Sequence, residues 1–132
     1  MVEYMMHGHA FQCRLSNLNS QCFRTISACL GPFSSLTYLD LSDNMGGLDP
    51  SGQRNGEGVA AIAMNLSHSL HMRVLKLARN FLVDEDISAI AAALHNMPQF
   101  QDLDLSGNLC HCSGAKSLNL AFISHSVLAQ PG

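Results

Sequence analysis

One short pattern, written three times, constrains this chain more than any other feature. The pattern apolar-x-x-Leu-x-Leu-x-x-Asn occurs at residues 36–44, 72–80 and 100–108. Side chains alternate along a strand, so the two Leu residues of each copy predict a short strand with one buried face. Repetition at intervals of this kind predicts strands that stack side by side in a parallel sheet.

The segments between the patterns have the 3–4 spacing of a helix with one buried face. Apolar residues follow the Asn by seven, ten and fourteen positions in the second and third copies, and by eight more in the first. They are Val59, Ile62 and Leu66, then Ile87, Ile90 and Leu94, then Ala115, Leu118 and Phe122. Each copy therefore predicts a unit of one strand followed by one helix.

The start of the chain carries a weaker version of the same unit. Phe11 and Cys13 stand 28 residues before Leu39 and Leu41, with Ser16 in place of the Asn. They predict a degenerate strand, and the stripe over residues 20–30 predicts a helix that ends at a Gly-Pro pair. A start inside a longer repeat array accounts for this segment equally well.

The alternation of LxxLxLxxN, a loop, and a helix such as GVAAIAMNL resembles ribonuclease-inhibitor-type leucine-rich repeats. Similar arrays occur in NLR receptors and CARMIL-type actin-capping regulators. The resemblance implies an α/β leucine-rich-repeat solenoid, with a short parallel sheet on the concave face and helices on the convex face. We expect residues 1–15 to be poorly ordered or a degenerate repeat start, and residues 16–132 to hold about three repeats, the last truncated.

Composition narrows the class of partner. The net charge is −3, so no basic excess points to nucleic acid, and no segment has the ~20 apolar residues of a membrane span. Five cysteines, an odd number, and a start without the apolar core of a signal peptide indicate a reducing, cytoplasmic location. The resemblance implies a protein partner.

The high apolar content predicts unburied repeat ends. Hydrophobic residues make up 47% of the chain, a large share for so few units. We therefore expect self-association through open ends. The alternative to an interaction module is a truncated, uncapped fragment of a larger leucine-rich-repeat receptor or actin-regulatory scaffold, with no independent activity.

No residues form a plausible catalytic constellation, so we expect no enzyme, no cofactor and no metal. Residues 47–52 have phosphate-loop spacing but lack its Lys and Ser/Thr, and residues 56–61 fit GxGxxA yet read better as a helix start. Cys110, His111 and Cys112 would need further ligands to hold zinc. Three acids at residues 84–86 suggest helix capping by Asp84 more than a cation site.

Outward residues of the strands should form columns on the concave face. The predicted contacts for a protein partner are Tyr38, Asp40, Asp43, Lys76, Arg79, Asp102 and Asp104. Tyr38 and Arg79 are the expected anchors, because Tyr and Arg are enriched in binding hot spots. Lys76 should sit between two carboxylates and Arg79 beside Asp43. The alternative is that these charges only pair across strands.

Two further expectations concern the strand ends. Asn44, Asn80 and Asn108 should form a ladder whose amides bond backbone groups where the chain leaves the sheet. The turn-rich segment 45–58 should project as a mobile loop at the rim.

Overall fold

The computed structural model describes residues 3–7, 10–30 and 36–109. In chain order the elements are β1 (Glu3–His7), β2 (Ala10–Arg14), α1 (Ser20–Leu30), β3 (Tyr38–Asp40), α2 (Glu57–Leu66), β4 (Val74–Lys76), α3 (Asp84–Leu94) and β5 (Asp102–Asp104). We refer to residues 10–30 as the N-terminal unit, 36–66 as the first, 72–94 as the second and those from 100 as the third.

The strands form one sheet in the order β1-β2-β3-β4-β5. Strands β2 to β5 run parallel, each in the register that the repeated pattern predicts, with Leu39 opposite Leu75 and Leu75 opposite Leu103. Helices α1 and α2 connect consecutive parallel strands, as does α3. Over the described residues, the architecture is therefore a mixed α/β fold with four parallel strands and three helices.

Strand β2 lies where Phe11 and Cys13 predict a degenerate strand, since Phe11 is in register with Leu39. Strand β1 was not predicted. It pairs antiparallel with β2, with Met5 opposite Gln12. Its sequence, EYMMH, lacks the Leu-x-Leu alternation by which the other strands are found.

The helical stripes of the first and second units face the sheet, as predicted. Every stripe residue of these two units is at most 2% exposed, and all join one apolar cluster with Leu39 and Leu75. In α1, Phe23 is fully buried and Ile26 packs against the same cluster. The predicted stripe at residues 115, 118 and 122 lies outside the described residues.

The two ends of segment 45–56 are folded back on their neighbours, whereas residues 50–54 at its tip are exposed, so the predicted projection is confined to the tip. Its backbone donates from Met45 to the Leu18 carbonyl (2.7 Å), from Gly47 to Asn80 (2.9 Å) and from Asn55 to Gly47 (2.8 Å). This segment is longer than its counterpart in the second unit, and within it Leu48 and Arg54 form an antiparallel bridge. Glycine and turn residues thus serve close packing here, a role that composition alone does not distinguish from mobility.

The start of α3 differs from the prediction that Asp84 is its N-cap. The N-cap is Val83, and Asp84 is the first helical residue. The Asp86 carboxylate accepts the Val83 N–H at 2.9 Å and the Arg54 guanidinium at 3.0 Å. Asp86 is buried, and burial raises its pKa. The acid at the third helical position thus bonds the backbone N–H of the N-cap residue, which is the second half of a capping box.

Candidate functional site

The sheet has one face away from the helices, which we call the open face. It is the face opposite to the layer of Leu39, Leu75 and Leu103. Its register places Tyr38, Val74 and Asp102 in one column and Asp40, Lys76 and Asp104 in the next, as the sequence predicts. Strand β2 extends these columns with Ala10 and Gln12.

Asparagine side chains join consecutive units at the strand ends. The Asn44 amide donates to the Cys13 carbonyl (2.9 Å) and its oxygen accepts the N–H groups of Ser16 (3.0 Å) and Leu18 (3.1 Å). The Asn80 amide donates to Leu41 (2.9 Å), and its oxygen accepts from Gly46 (3.0 Å).

Asn108 bonds the second unit in the same way. Its amide donates to the Leu77 carbonyl at 2.9 Å, and its oxygen accepts from the backbone of Asn80 (2.8 Å) and Leu82 (3.0 Å). Each asparagine thus bonds backbone groups of the preceding unit. These contacts hold the open face at a fixed register.

The residue before each of the three asparagines, and before Ser16 in the N-terminal unit, has a left-handed backbone conformation. The φ angles are 55° at Leu15, 61° at Asp43, 53° at Arg79 and 72° at Gly107. This conformation costs an ordinary side chain roughly 1 kcal/mol, and Asp tolerates it better than Arg or Leu. These positions lie at the rim of the open face, where the chain turns after each strand.

Asp43 lies between two guanidinium groups at this rim. Arg14 Nη2 donates to its Oδ2 at 2.8 Å, and Arg79 donates through Nε to Oδ1 and through Nη2 to Oδ2 (3.1 Å). Hydrogen bonds from Arg79 and then Arg14 lower the pKa of Asp43 to about 2. The carboxylate is therefore charged at neutral pH, and the three side chains together carry a net positive charge.

We expect Asp43→Asn to lower the melting temperature at pH 7 by about 3 °C, a difference that shrinks in acid. The folded pKa lies below the ordinary value of 3.8, so Asp43 stabilises the fold above about pH 4. That contribution shrinks as the pH falls from about 4 towards 2, and it is lost below about pH 2, where Asp43 is protonated in the folded as well as in the unfolded protein. Thermal melts of both proteins from pH 7 to 2 measure it, with Asp102→Asn as the exposed control. A pH-independent difference would contradict the assignment.

Lys76 lies between Asp40 and Asp104 in the strand register, as predicted, whereas the environment of Asp40 differs from its prediction. No ion pair within the described part of the chain joins Lys76 to Asp40 or Asp104; its Nζ lies 5.8 Å from the centre of the Tyr38 ring. Asp40 is 4% exposed, so the prediction that its carboxylate is exposed for a partner is wrong. It accepts the Ser42 N–H at 2.9 Å and lies 4.0 Å from Arg14 Nε.

The remaining predicted contacts lie on the outermost described strand. Asp102 is exposed, and Asp104 is half-buried. Asp104 accepts the backbone N–H (3.0 Å) and hydroxyl (2.7 Å) of Ser106, and these bonds lower its pKa. Asp102 and Asp104 therefore present negative charge at one side of the open face, and Arg14 presents positive charge at the other.

Sequence analysis missed Arg14. The alignment of Phe11 with Leu39 places Arg14 at the repeat position of Ser42, which is enough to assign it to the open face. It was missed because the predicted columns contain only residues of the three clear patterns. Its pairing with Asp43, one position further along, needs the three-dimensional structure.

Other site hypotheses find no support in geometry. Within residues 3–7, 10–30 and 36–109, no three His, Cys, Asp or Glu side chains lie close enough together to hold a metal ion. Cys110, His111 and Cys112 lie outside those ranges. In the same ranges, no helix has both the length and the apolar run needed to cross a bilayer.

The glycine-rich segments serve packing between elements. A Cβ on Gly58 would lie 2.4 Å from the Ser20 carbonyl oxygen, and one on Gly46 would lie 2.3 Å from the Phe23 ring. Gly58 also donates its N–H to the Ser20 hydroxyl at 2.8 Å. The GxGxxA stretch is thus a helix start packed against α1.

A comparison with known proteins yields a structural match. No protein-family model matches the chain, and no curated protein does. Among solved structures, the actin-binding site 2 of leiomodin-1 superposes with a TM-score of 0.69 at 14% sequence identity. The match covers 88% of this chain and 65% of that one, so the chain spans less than two thirds of the leiomodin-1 structure. The shared feature at this identity is the fold.

Proposed function

We propose that this chain is a ribonuclease-inhibitor-type leucine-rich-repeat module that binds a protein partner through the open face, which is the concave face of a short solenoid. The observation that carries the proposal is the composition of that face. Tyr38, Lys76 and Arg14 lie on strands whose register the asparagines fix, and Arg79 lies at the rim where β4 has ended. Rigid aromatic and Arg side chains contribute much of the energy in protein interfaces.

The likeness to a structure named for actin binding supports a protein partner and makes actin the first one to test. We further propose that the module is non-catalytic and cytoplasmic, both of which rest on the sequence.

The double substitution Tyr38→Ala and Arg79→Ala should weaken binding of monomeric actin at least tenfold, because it removes both anchors. Biolayer interferometry on the immobilised chain measures the affinity. The matched control is Arg24→Ala with Glu57→Ala, an exposed ion pair of 3.6 Å between α1 and α2. Equal loss in the control, or undiminished binding in the double variant, would exclude this face.

The same samples separate the module from the alternative of an inactive fragment. A monomer that melts cooperatively and binds actin supports the module. Aggregation or a noncooperative melt, measured with light scattering and circular dichroism, would support the fragment instead.

A further inference from the structure

A row of apolar residues lies beside the open face, at the rim where the strands end. The residue that follows each ladder asparagine is apolar in all three units: Met45, Phe81 and Leu109. Phe81 is 45% exposed and Leu109 is 51% exposed, whereas Met45 is half-buried. Leu15, 59% exposed, stands at the same rim in the N-terminal unit. We call Met45, Phe81 and Leu109 the apolar rim.

The backbone holds the apolar rim in register. Gly47 donates to the Asn80 carbonyl at 2.9 Å, directly beside Phe81, and Leu109 donates to the Leu82 carbonyl at 2.8 Å. Neighbouring strands of a sheet lie about 4.8 Å apart. The apolar rim therefore spans about 10 Å across three units. Exposed apolar side chains clustered in this way mark interaction sites more often than scattered ones do.

Phe81 is the least expected member of the apolar rim. Its φ is 60°, a conformation that an aromatic side chain rarely adopts. The fold gains little from a ring that is nearly half exposed, and an Asn would suit the backbone better. Strained positions of this kind concentrate where a side chain has a role beyond folding.

Beside the apolar rim, the positively charged side chains are more exposed than the carboxylates that pair with them. The Arg14 and Arg79 side chains are 37% and 54% exposed, but the carboxylates that pair with them, Asp43 and Asp40, are 15% and 6% exposed. The side chain of Arg79 also extends over Gly107, towards the third unit. At these two ion-paired positions, an approaching partner thus meets the guanidinium groups more than the carboxylates of Asp40 and Asp43.

We propose that the apolar rim and these two guanidinium groups form a docking surface for an acidic amphipathic helix of a protein partner. A helix rises 1.5 Å per residue, so apolar side chains at i, i+4 and i+7 lie about 6 and 10.5 Å along its axis. That spacing matches one and two strand intervals along the apolar rim. Acidic residues on the flank of the helix would reach Arg79 and Arg14 with charge-assisted hydrogen bonds. The surface shares Arg14 and Arg79 with the open face but is centred on the apolar rim, and it does not require actin binding.

The probe is a fluorescein-labelled synthetic helix with Leu at i, i+4 and i+7 and Glu along one flank, titrated with the full chain in fluorescence anisotropy. A twin peptide carries Lys in place of each Glu. We expect saturable binding of the Glu peptide and at least tenfold weaker binding of the Lys twin. No saturable binding, or equal binding of both peptides, would overturn the proposal.

Variants of the chain locate the contact. Asn suits the left-handed backbone at position 81, so the Phe81→Asn variant should fold. It should weaken binding of the Glu peptide at least tenfold. Leu109→Gln is a second variant of the same surface and should also weaken binding. Leu70→Asn removes a comparably exposed apolar residue elsewhere and should leave binding unchanged. Tyr38→Ala should also leave it unchanged, which separates this surface from the open face. Light scattering adds a further outcome: self-association abolished by Phe81→Asn would make a second copy the occupant and overturn the proposal.

Discussion

Substitution of Asn80 by Ala should lower the free energy of unfolding by roughly 2–4 kcal/mol, because it leaves buried backbone groups without partners. Asn80 is fully buried, and its side chain donates to the Leu41 carbonyl at 2.9 Å and accepts the Gly46 N–H at 3.0 Å. Ala can replace neither bond, and the site has no access to water. Chemical denaturation followed by circular dichroism measures the loss.

The control for this substitution is Ser106→Ala. Ser106 is exposed, and its hydroxyl bonds only the neighbouring Asp104 at 2.7 Å, so the loss should stay below about 1 kcal/mol. Asn44→Ala, also buried, should resemble Asn80→Ala, whereas the half-buried Asn108 should give a smaller loss. Equal stabilities of the Asn80 and Ser106 variants would show that the asparagines contribute nothing specific.

Gly58→Ala should destabilise the protein by about 1–3 kcal/mol, although Gly→Ala inside a helix usually stabilises by about 1 kcal/mol. The reversed sign follows from the packing of α2 against α1. A Cβ at this position would lie 2.4 Å from the Ser20 carbonyl oxygen and 2.8 Å from the Phe23 Cβ. Neither neighbour is the flexible end of a side chain, so the helices would have to move apart.

Thermal melts with light scattering measure this effect on a monomeric sample. The control is Glu57→Ala, one residue earlier on the exposed side of α2, which should change stability by less than about 0.5 kcal/mol. A stabilised Gly58→Ala variant would mean that α1 and α2 pack less closely than described.

The regular parts of the fold could be predicted because one chemical pattern specifies them. Two inward Leu residues and a terminal Asn occur at each clear strand, and the strand register followed from them without further information. The buried faces of the helices could be predicted equally well, since Ile62 and Ile90 occupy matching places in successive units.

The candidate site was only partly predictable. The columns on the open face follow from register, but burial of Asp40 and the contact of Lys76 with Tyr38 depend on side-chain directions that spacing does not specify. Strand β1 and Arg14 lie where the pattern degenerates. Segment 45–56 folds back because of contacts with the second unit, such as the hydrogen bond from the Gly47 N–H to the Asn80 carbonyl. The glycine and turn residues of the segment do not by themselves predict these contacts.

The hydrogen bonds that the three asparagine side chains make between units all run in the same direction along the chain. Backbone donors of Ser16 and Leu18 depend on Asn44, those of Gly46 on Asn80, and those of Asn80 and Leu82 on Asn108. Through these asparagines, each unit satisfies backbone groups of the unit before it. Loss of structure should therefore spread towards the N-terminus, with every unit that melts exposing the polar backbone of the one before it.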